Sequence, residues 1–340
     1  MRKAIRNSAV FRSLGALSSL AGWLFGGLML AGVLLVVLHV GELAQFASLL
    51  RGAQPGWLLL ALAFQAATYP AAAGVWQRTL DAAGAPLPLR SLVPLGIAKL
   101  FTDQALPSGG ISGAALLVRA LARRGVSADA AMQTVLMMLA SYYSAYVIVA
   151  FAALGLLSLY HRANAALVIS ATVFAAITIA VPALVLSLKR WGRAGPPAWL
   201  RRLPGFKVWF ERISTAPTDV LRNKRLLAES LFLQLGVFML DAATLWIAFR
   251  ALGAPIGFAV AFVSFVLASV VGTIGLVPLG LGTFEATAVA LLHALGVTVE
   301  AAFAATLVLR GLTFWLPMLP GVWLARRELG AAQGGRCRAT

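Results

Sequence analysis

Five ionisable residues stand inside apolar stretches of this chain: Lys99, Asp103, Asp241, Glu285 and Arg310. An intramembrane charge costs at least about 2.5–3.5 kcal/mol on insertion scales, so such residues face a partner or a wet cavity. Lys99 and Asp103 are spaced i, i+4 and pair along one helix. Glu285 falls in the first turn of a short helix, and Arg310 lies about nine residues into a long apolar stretch, a depth that makes a Glu285–Arg310 pair the preferred contact. Two chemistries fit that pair. In one it is a buried ion pair that fixes helix packing, with Glu285 also capping its helix. In the other, Arg310 holds an anionic headgroup while Glu285 carries a proton or holds the arginine in place. Asp241 reads either as a further member of the set or as an interfacial residue near the outer end of its span.

Two broken segments must position these residues. "ALPSGGISG" (105–113) interrupts the apolar region 91–118, and "VPLGLG" (277–282) interrupts the region 257–296. The bilayer core offers no water to unpaired backbone groups. Non-helical backbone is tolerated there only where protein buries it or where it lines a cavity. Gly109, Gly110, Gly280 and Gly282 let the chain turn beside Pro107 and Pro278. Ser112 and Thr283 are placed to cap the helices that follow. Each of these helices then aims a positive dipole end at the membrane middle, where it attracts anions such as phosphate. The plainer reading is a pair of capped kinks without a ligand.

Composition sets the frame. Of 340 residues 61% are hydrophobic and 11% charged, and the mean hydropathy is +0.89, outside the range of soluble domains. Apolar runs at 16–40, 56–78, 129–159, 164–188, 227–249 and 302–325 each reach the roughly 20 residues a membrane span needs. The first is too long for a signal-peptide core and reads as an uncleaved span. The pieces after the two breaks, 112–124 and 283–296, extend only about 20 Å, which predicts re-entrant hairpins that enter and leave on one side.

The net charge of +17 suggests nucleic acid until its distribution is read. Four Lys or Arg precede the first span, ten lie in 189–225 and four in the tail, so this topology puts 23 of 28 on one side. That is the positive-inside pattern of cytoplasmic segments, with both termini inside. No nucleic-acid partner is expected. The stretch 188–214 mixes these bases with Trp191, Trp199, Phe206, Trp209 and Phe210, as suits a topology-setting loop or a segment lying on anionic lipid. The single Cys337 and the scattered His39, His161 and His293 offer no metal-ligand set, and no cofactor motif or paired nucleophile and base is present.

The expected fold is an all-α polytopic membrane protein with an inverted repeat. Residues 1–163 and 164–328 each hold three spans and one re-entrant hairpin, and 329–340 form a polar tail. The breaks echo one another, "PSGGISGAALL" beginning at Pro107 and "PLGLGTFEATAVALL" at Pro278.

At these residues the chain resembles the flippase-like family built on the transmembrane region of lysylphosphatidylglycerol synthases, over about 20–328. The resemblance is carried by "KLFTDQALPSGGISGAALLVRALARRGVS" (99–127), by "PLGLGTFEATAVALLHALGV" (278–297) and by "LVLRGLTFWLPMLPG" (307–321). The more specific elements fall on Pro278, Gly280, Gly282, Glu285, Arg310, Thr313, Trp315 and Pro317. The resemblance implies a bacterial inner-membrane protein that moves lipids or lipid-linked precursors between leaflets. The synthases carry a soluble aminoacyl-transferase domain after the membrane region. No such stretch stands here, so lysyl transfer is not expected. The Ser-Gly-Gly break resembles a hopanoid-biosynthesis-associated branch, which makes hopanoid or polyisoprenoid lipids candidate cargo and a lipid-biosynthetic enzyme a candidate partner. The expectation is therefore a non-enzymatic lipid transporter, with protonation of Glu285 or Asp103 as its coupling step. The alternatives are a membrane scaffold for a lipid-modifying enzyme and, last, an intramembrane enzyme acting on a headgroup.

Overall fold

The computed structural model describes residues 51–105, 111–159, 219–274 and 282–330. The expected spans 16–40 and 164–188, the part of the basic segment 189–225 before Asp219, both break centres and the tail beyond 330 lie outside the described residues. Among the described residues all regular structure is helical.

Among the described residues four helices are long and apolar enough to cross a membrane: Pro55–Ala82, Ala128–Ser158, Lys224–Ala251 and Val299–Glu328. They coincide with four of the six expected spans. In chain order the helices are α1 (Pro55–Ala82), α2 (Leu89–Ala105), α3 (Ile111–Arg123), α4 (Ala128–Leu159), the single turn α5 (Asp219–Arg222), α6 (Lys224–Ala251), α7 (Phe258–Ile274), α8 (Thr283–Ala294) and α9 (Val299–Arg310). A π-helical turn at Gly311–Trp315 joins α9 to α10 (Leu316–Gly330).

Local chemistry sets the ends. Pro55 opens α1, where its missing N–H costs nothing. Asn223 caps α6 by accepting the Leu226 N–H at 3.1 Å. Positive-φ glycines at 84, 125, 253 and 296 follow the ends of α1, α3, α6 and α8.

Helix α6 is the central element, packed on α1, α4, α7 and α9. The Gln54 N–H bonds the Ala251 carbonyl at 2.8 Å, so α1 and α6 run antiparallel from a shared end. Two cores result. One joins α4, α6, α7, α8 and α9 around Tyr146, Leu245, Phe249, Val266 and Leu292. The other joins α1, α2, α3 and the start of α4 around Trp76, Leu80, Leu92, Leu117 and Met137. Lipid tails are as apolar as leucine, so close packing rather than the hydrophobic effect joins helices here. Alanine supplies it: Ala242, Ala248, Ala261, Ala268, Ala302, Ala304 and Ala305 are fully buried. The outward residues Phe232, Leu319, Trp323 and Phe151 are exposed, as lipid-facing side chains are.

The interrupted regions form two helix pairs of matching size. Helices α2 and α3 span 17 and 13 residues, and α7 and α8 span 17 and 12. Each pair packs together. The second helix of each extends only about 18–20 Å, short of the roughly 30 Å hydrocarbon core.

Candidate functional site

The site is built at the N-terminus of each short second helix. In α8 the N-cap is Gly282, whose φ of +85° lies in the left-handed region that favours glycine. Its N–H is one of the donors a helix start leaves unpaired. Glu285, three residues on, reaches back and accepts that N–H on Oε2 at 2.7 Å. Its other oxygen, Oε1, accepts from Arg310 Nε at 2.5 Å. Both side chains are 13% exposed, so the pair is nearly enclosed. The Arg310 guanidinium also lies over the Phe284 ring at 4.8 Å and the Phe314 ring at 5.3 Å, contacts worth about 0.5–2 kcal/mol each. Arg310 ends α9 where the π turn begins, a backbone irregularity that recurs at functional sites.

The first half repeats the arrangement with different connectivity. Lys99 Nζ meets Asp103 Oδ2 at 2.7 Å along α2. Asp103 Oδ1 accepts the Gly113 N–H at 2.8 Å, near the start of α3. A Cβ on Gly113 would overlap this carboxylate, so glycine is what lets the acid reach the helix end. In both halves one carboxylate oxygen holds a backbone N–H at the helix start and the other holds a base. The negative charge sits where the helix dipole favours it.

Two expected caps are corrected. The N-cap of α8 is Gly282, and Thr283 is the first helical residue, with its carbonyl accepting from the Thr287 hydroxyl at 2.7 Å. Ser112 lies inside α3 and donates its hydroxyl to the Thr102 carbonyl at 3.1 Å, while Asp103 binds the helix-start N–H. In the first half the reason is that a charged carboxylate outcompetes a neutral hydroxyl for the Gly113 N–H; in the second, the chain takes the left-handed turn at Gly282, which leaves Thr283 already helical. Pro107, Gly109, Gly110, Pro278 and Gly280 lie outside the described residues.

Asp241 sits about 15 Å along α6 from Ala251. Gln65 and Tyr69 of α1 and Tyr142 of α4 are its polar neighbours. Tyr142 contacts Tyr143 at 5.5 Å and Tyr146 at 5.6 Å, and Phe238 stacks on Tyr146 at 5.0 Å. The Tyr146 hydroxyl lies 3.3 Å from that of Thr273, in the last turn of α7.

Sequence reading missed this tyrosine wall, although "SYYSAY" at 141–146 is a visible signal in an otherwise apolar span. It also missed a clamp at the basic end of the bundle. Arg124 Nη2 meets Glu328 Oε1 at 2.6 Å and its Nη1 meets Oε2 at 3.2 Å, tying the end of α3 to the end of α10. Arg123 donates to the Glu328 carbonyl beside it.

With this geometry in view, the family profile described as the lysylphosphatidylglycerol synthase TM region matches residues 19–321. The chain belongs to that family. The match spans both helix pairs and both acid–base pairs. No curated protein matches the chain. Membership of the lysylphosphatidylglycerol synthase TM-region family, together with four membrane-length helices, makes this a multi-pass membrane protein of a lipid-related, flippase-like family.

Proposed function

We propose that this family member carries an amphipathic lipid or lipid-linked precursor between the leaflets of the bacterial inner membrane, acting as a transporter rather than an enzyme. One observation carries the reading: two short helices, each with an acid–base pair closed over its N-terminus, Lys99–Asp103 and Glu285–Arg310. A carboxylate held by a base and a helix N-terminus occupies the place a headgroup phosphate would take. An anionic headgroup entering between the pairs exchanges with the two carboxylates, while its tails stay in the bilayer.

In this reading α2–α3 and α7–α8 are re-entrant hairpins of an inverted repeat that approach the membrane middle from opposite sides. Rocking of one repeat against the other exposes the site to each face in turn. The matching lengths of the two helix pairs support it. The end of the bundle carrying Arg123, Arg124, Arg326 and Arg327 faces the cytoplasm, with both chain termini on that side. The Ser-Gly-Gly break favours a hopanoid or related polyisoprenoid cargo, with a lipid-biosynthetic enzyme as supplier.

The test is native mass spectrometry of lipids retained by the purified wild type and by Glu285→Gln. The proposal expects one phosphate-bearing or polyisoprenoid lipid held by the wild type and lost in the variant. The same unselective lipid set on both would reduce the Glu285–Arg310 pair to a packing element.

A further inference from the structure

Arg250 stands in the last turn of α6, where a base ordinarily serves the last carbonyls of its helix. Those carbonyls are already taken. The Ala248 carbonyl accepts the Leu252 N–H at 3.1 Å, Phe249 that of Ala254 at 3.1 Å, Arg250 that of Gly253 at 3.1 Å and Ala251 that of Gln54 at 2.8 Å. No ion pair among the described residues includes Arg250. Its Nε is buried without a hydrogen-bond partner.

What holds this cation is aromatic. It lies over the Trp246 ring at 4.4 Å, one turn back on α6, and over the Trp57 ring at 5.6 Å, in the first turn of α1. Trp246 is itself fixed. Its Nε1 donates to the Ile256 carbonyl at 3.0 Å, and Phe258 at the start of α7 meets it edge-on at 6.1 Å. The ends of α1, α6 and α7 thus meet at the guanidinium. Arg250 is half-buried, so the indoles grip the cation without enclosing it. Apolar side chains continue outward from the stack. Phe258 is 40% exposed, and Leu60, one turn from Trp57 on the same face of α1, is 39% exposed.

The cluster lies at the end of the bundle opposite Arg78 and Glu229, which meet where α1 ends and α6 begins. Arg250 stands about 31 Å along α6 from Glu229. The two residues bracket the apolar body of a helix long enough to cross a membrane. Tryptophan beside a charge at the end of a span is what the membrane–water interface selects.

Phosphate fits this arrangement. A guanidinium presents paired N–H donors that match two phosphate oxygens, and it stacks on an indole while keeping a donor edge free. The exposed apolar rim at Phe258 and Leu60 suits the tails of a lipid. We infer that Arg250, with Trp57 and Trp246 as its platform, binds the phosphate of a membrane lipid headgroup at the face of the bundle opposite Arg78 and Glu229. The site is separate from the Lys99–Asp103 and Glu285–Arg310 pairs and does not rest on the transport reading.

The test is thermal unfolding of the purified full-length chain in detergent, titrated with phosphatidic acid, with diacylglycerol of the same chains and with inorganic phosphate. A ligand of the folded chain raises the midpoint as its concentration rises. Phosphatidic acid should raise the wild-type midpoint in a saturable way, and the other two should not. Arg250→Gln should move half-saturation to at least about tenfold more phosphatidic acid. Arg250→Lys should follow the glutamine variant, because an ammonium neither stacks flat nor donates in pairs. The midpoints without added lipid show that both variants are folded. In an Arg310→Met background, where the pair invoked for transport is broken, the effect of Arg250→Gln should remain. A titration unchanged in both Arg250 variants would overturn the site. So would a shift that disappears in Arg310→Met and survives in Arg250→Gln, which would assign the phosphate to the interior pair. An equal shift with inorganic phosphate would overturn the lipid as the occupant.

Discussion

Arg310 Nε meets Glu285 Oε1 at 2.5 Å while Glu285 Oε2 holds the Gly282 N–H at 2.7 Å, so one carboxylate joins the start of α8 to the end of α9. Breaking a buried pair by removing one partner costs about 3–5 kcal/mol, because the other charge is stranded. Glu285→Gln and Arg310→Met should each lower the thermal midpoint in detergent. The double variant should lose much less than the sum of the two. Additive losses would show that the residues do not act as a pair.

Gly113→Ala tests the equivalent contact in the first half. The added Cβ overlaps the Asp103 carboxylate, and overpacking of this kind costs about 1–3 kcal/mol. Gly155→Ala and Gly236→Ala add a methyl to open space inside helices and should be neutral or stabilising. Thermal unfolding of the three variants side by side checks the difference.

Glu328 is 17% exposed and its arginine partner 25%, so the clamp between α3 and α10 is partly screened. Its removal should cost about 1 kcal/mol or less. Glu328→Arg should destabilise, the swap Arg124→Glu with Glu328→Arg should restore part of the loss, and the effect should shrink in high salt. A salt-independent loss that the swap does not repair would assign Glu328 a role other than the ion pair.

Asp241→Asn should leave the thermal midpoint unchanged or raise it, because an amide removes the cost of an acid without a base. Asp103→Asn should lower it, because Lys99 then loses its carboxylate. Unfolding curves at neutral pH distinguish the two, and a large drop in Asp241→Asn would mean that its charge has a partner.

Much of the site was legible in the sequence because its members are rare. A charge in an apolar run needs a reason, and Lys99 and Asp103 carried theirs in their spacing. Glu285 and Arg310 were matched by depth, since a first-turn residue of a short helix and one nine residues into a span arrive at similar levels. The caps were not legible. Ser112 and Thr283 have the residue types that favour N-caps, but only the fold shows that Asp103 arrives from the preceding helix and that Gly282 takes the cap. The tyrosines at 142, 143 and 146 were hidden because aromatic residues in spans usually belong to the interfacial belts. Arg124 and Glu328 stand 204 positions apart, and nothing in the local sequence of either announces the contact.

The most direct test of the central claim is lipid movement in vesicles of defined composition. The purified full chain is reconstituted, and the transfer of a fluorescent phospholipid between leaflets is followed by quenching from outside. Wild-type vesicles should move the lipid well above protein-free vesicles, and folded Arg310→Met and Lys99→Met should fall to that background. Wild-type transfer no faster than in protein-free vesicles, or full transfer in both variants, would contradict the account.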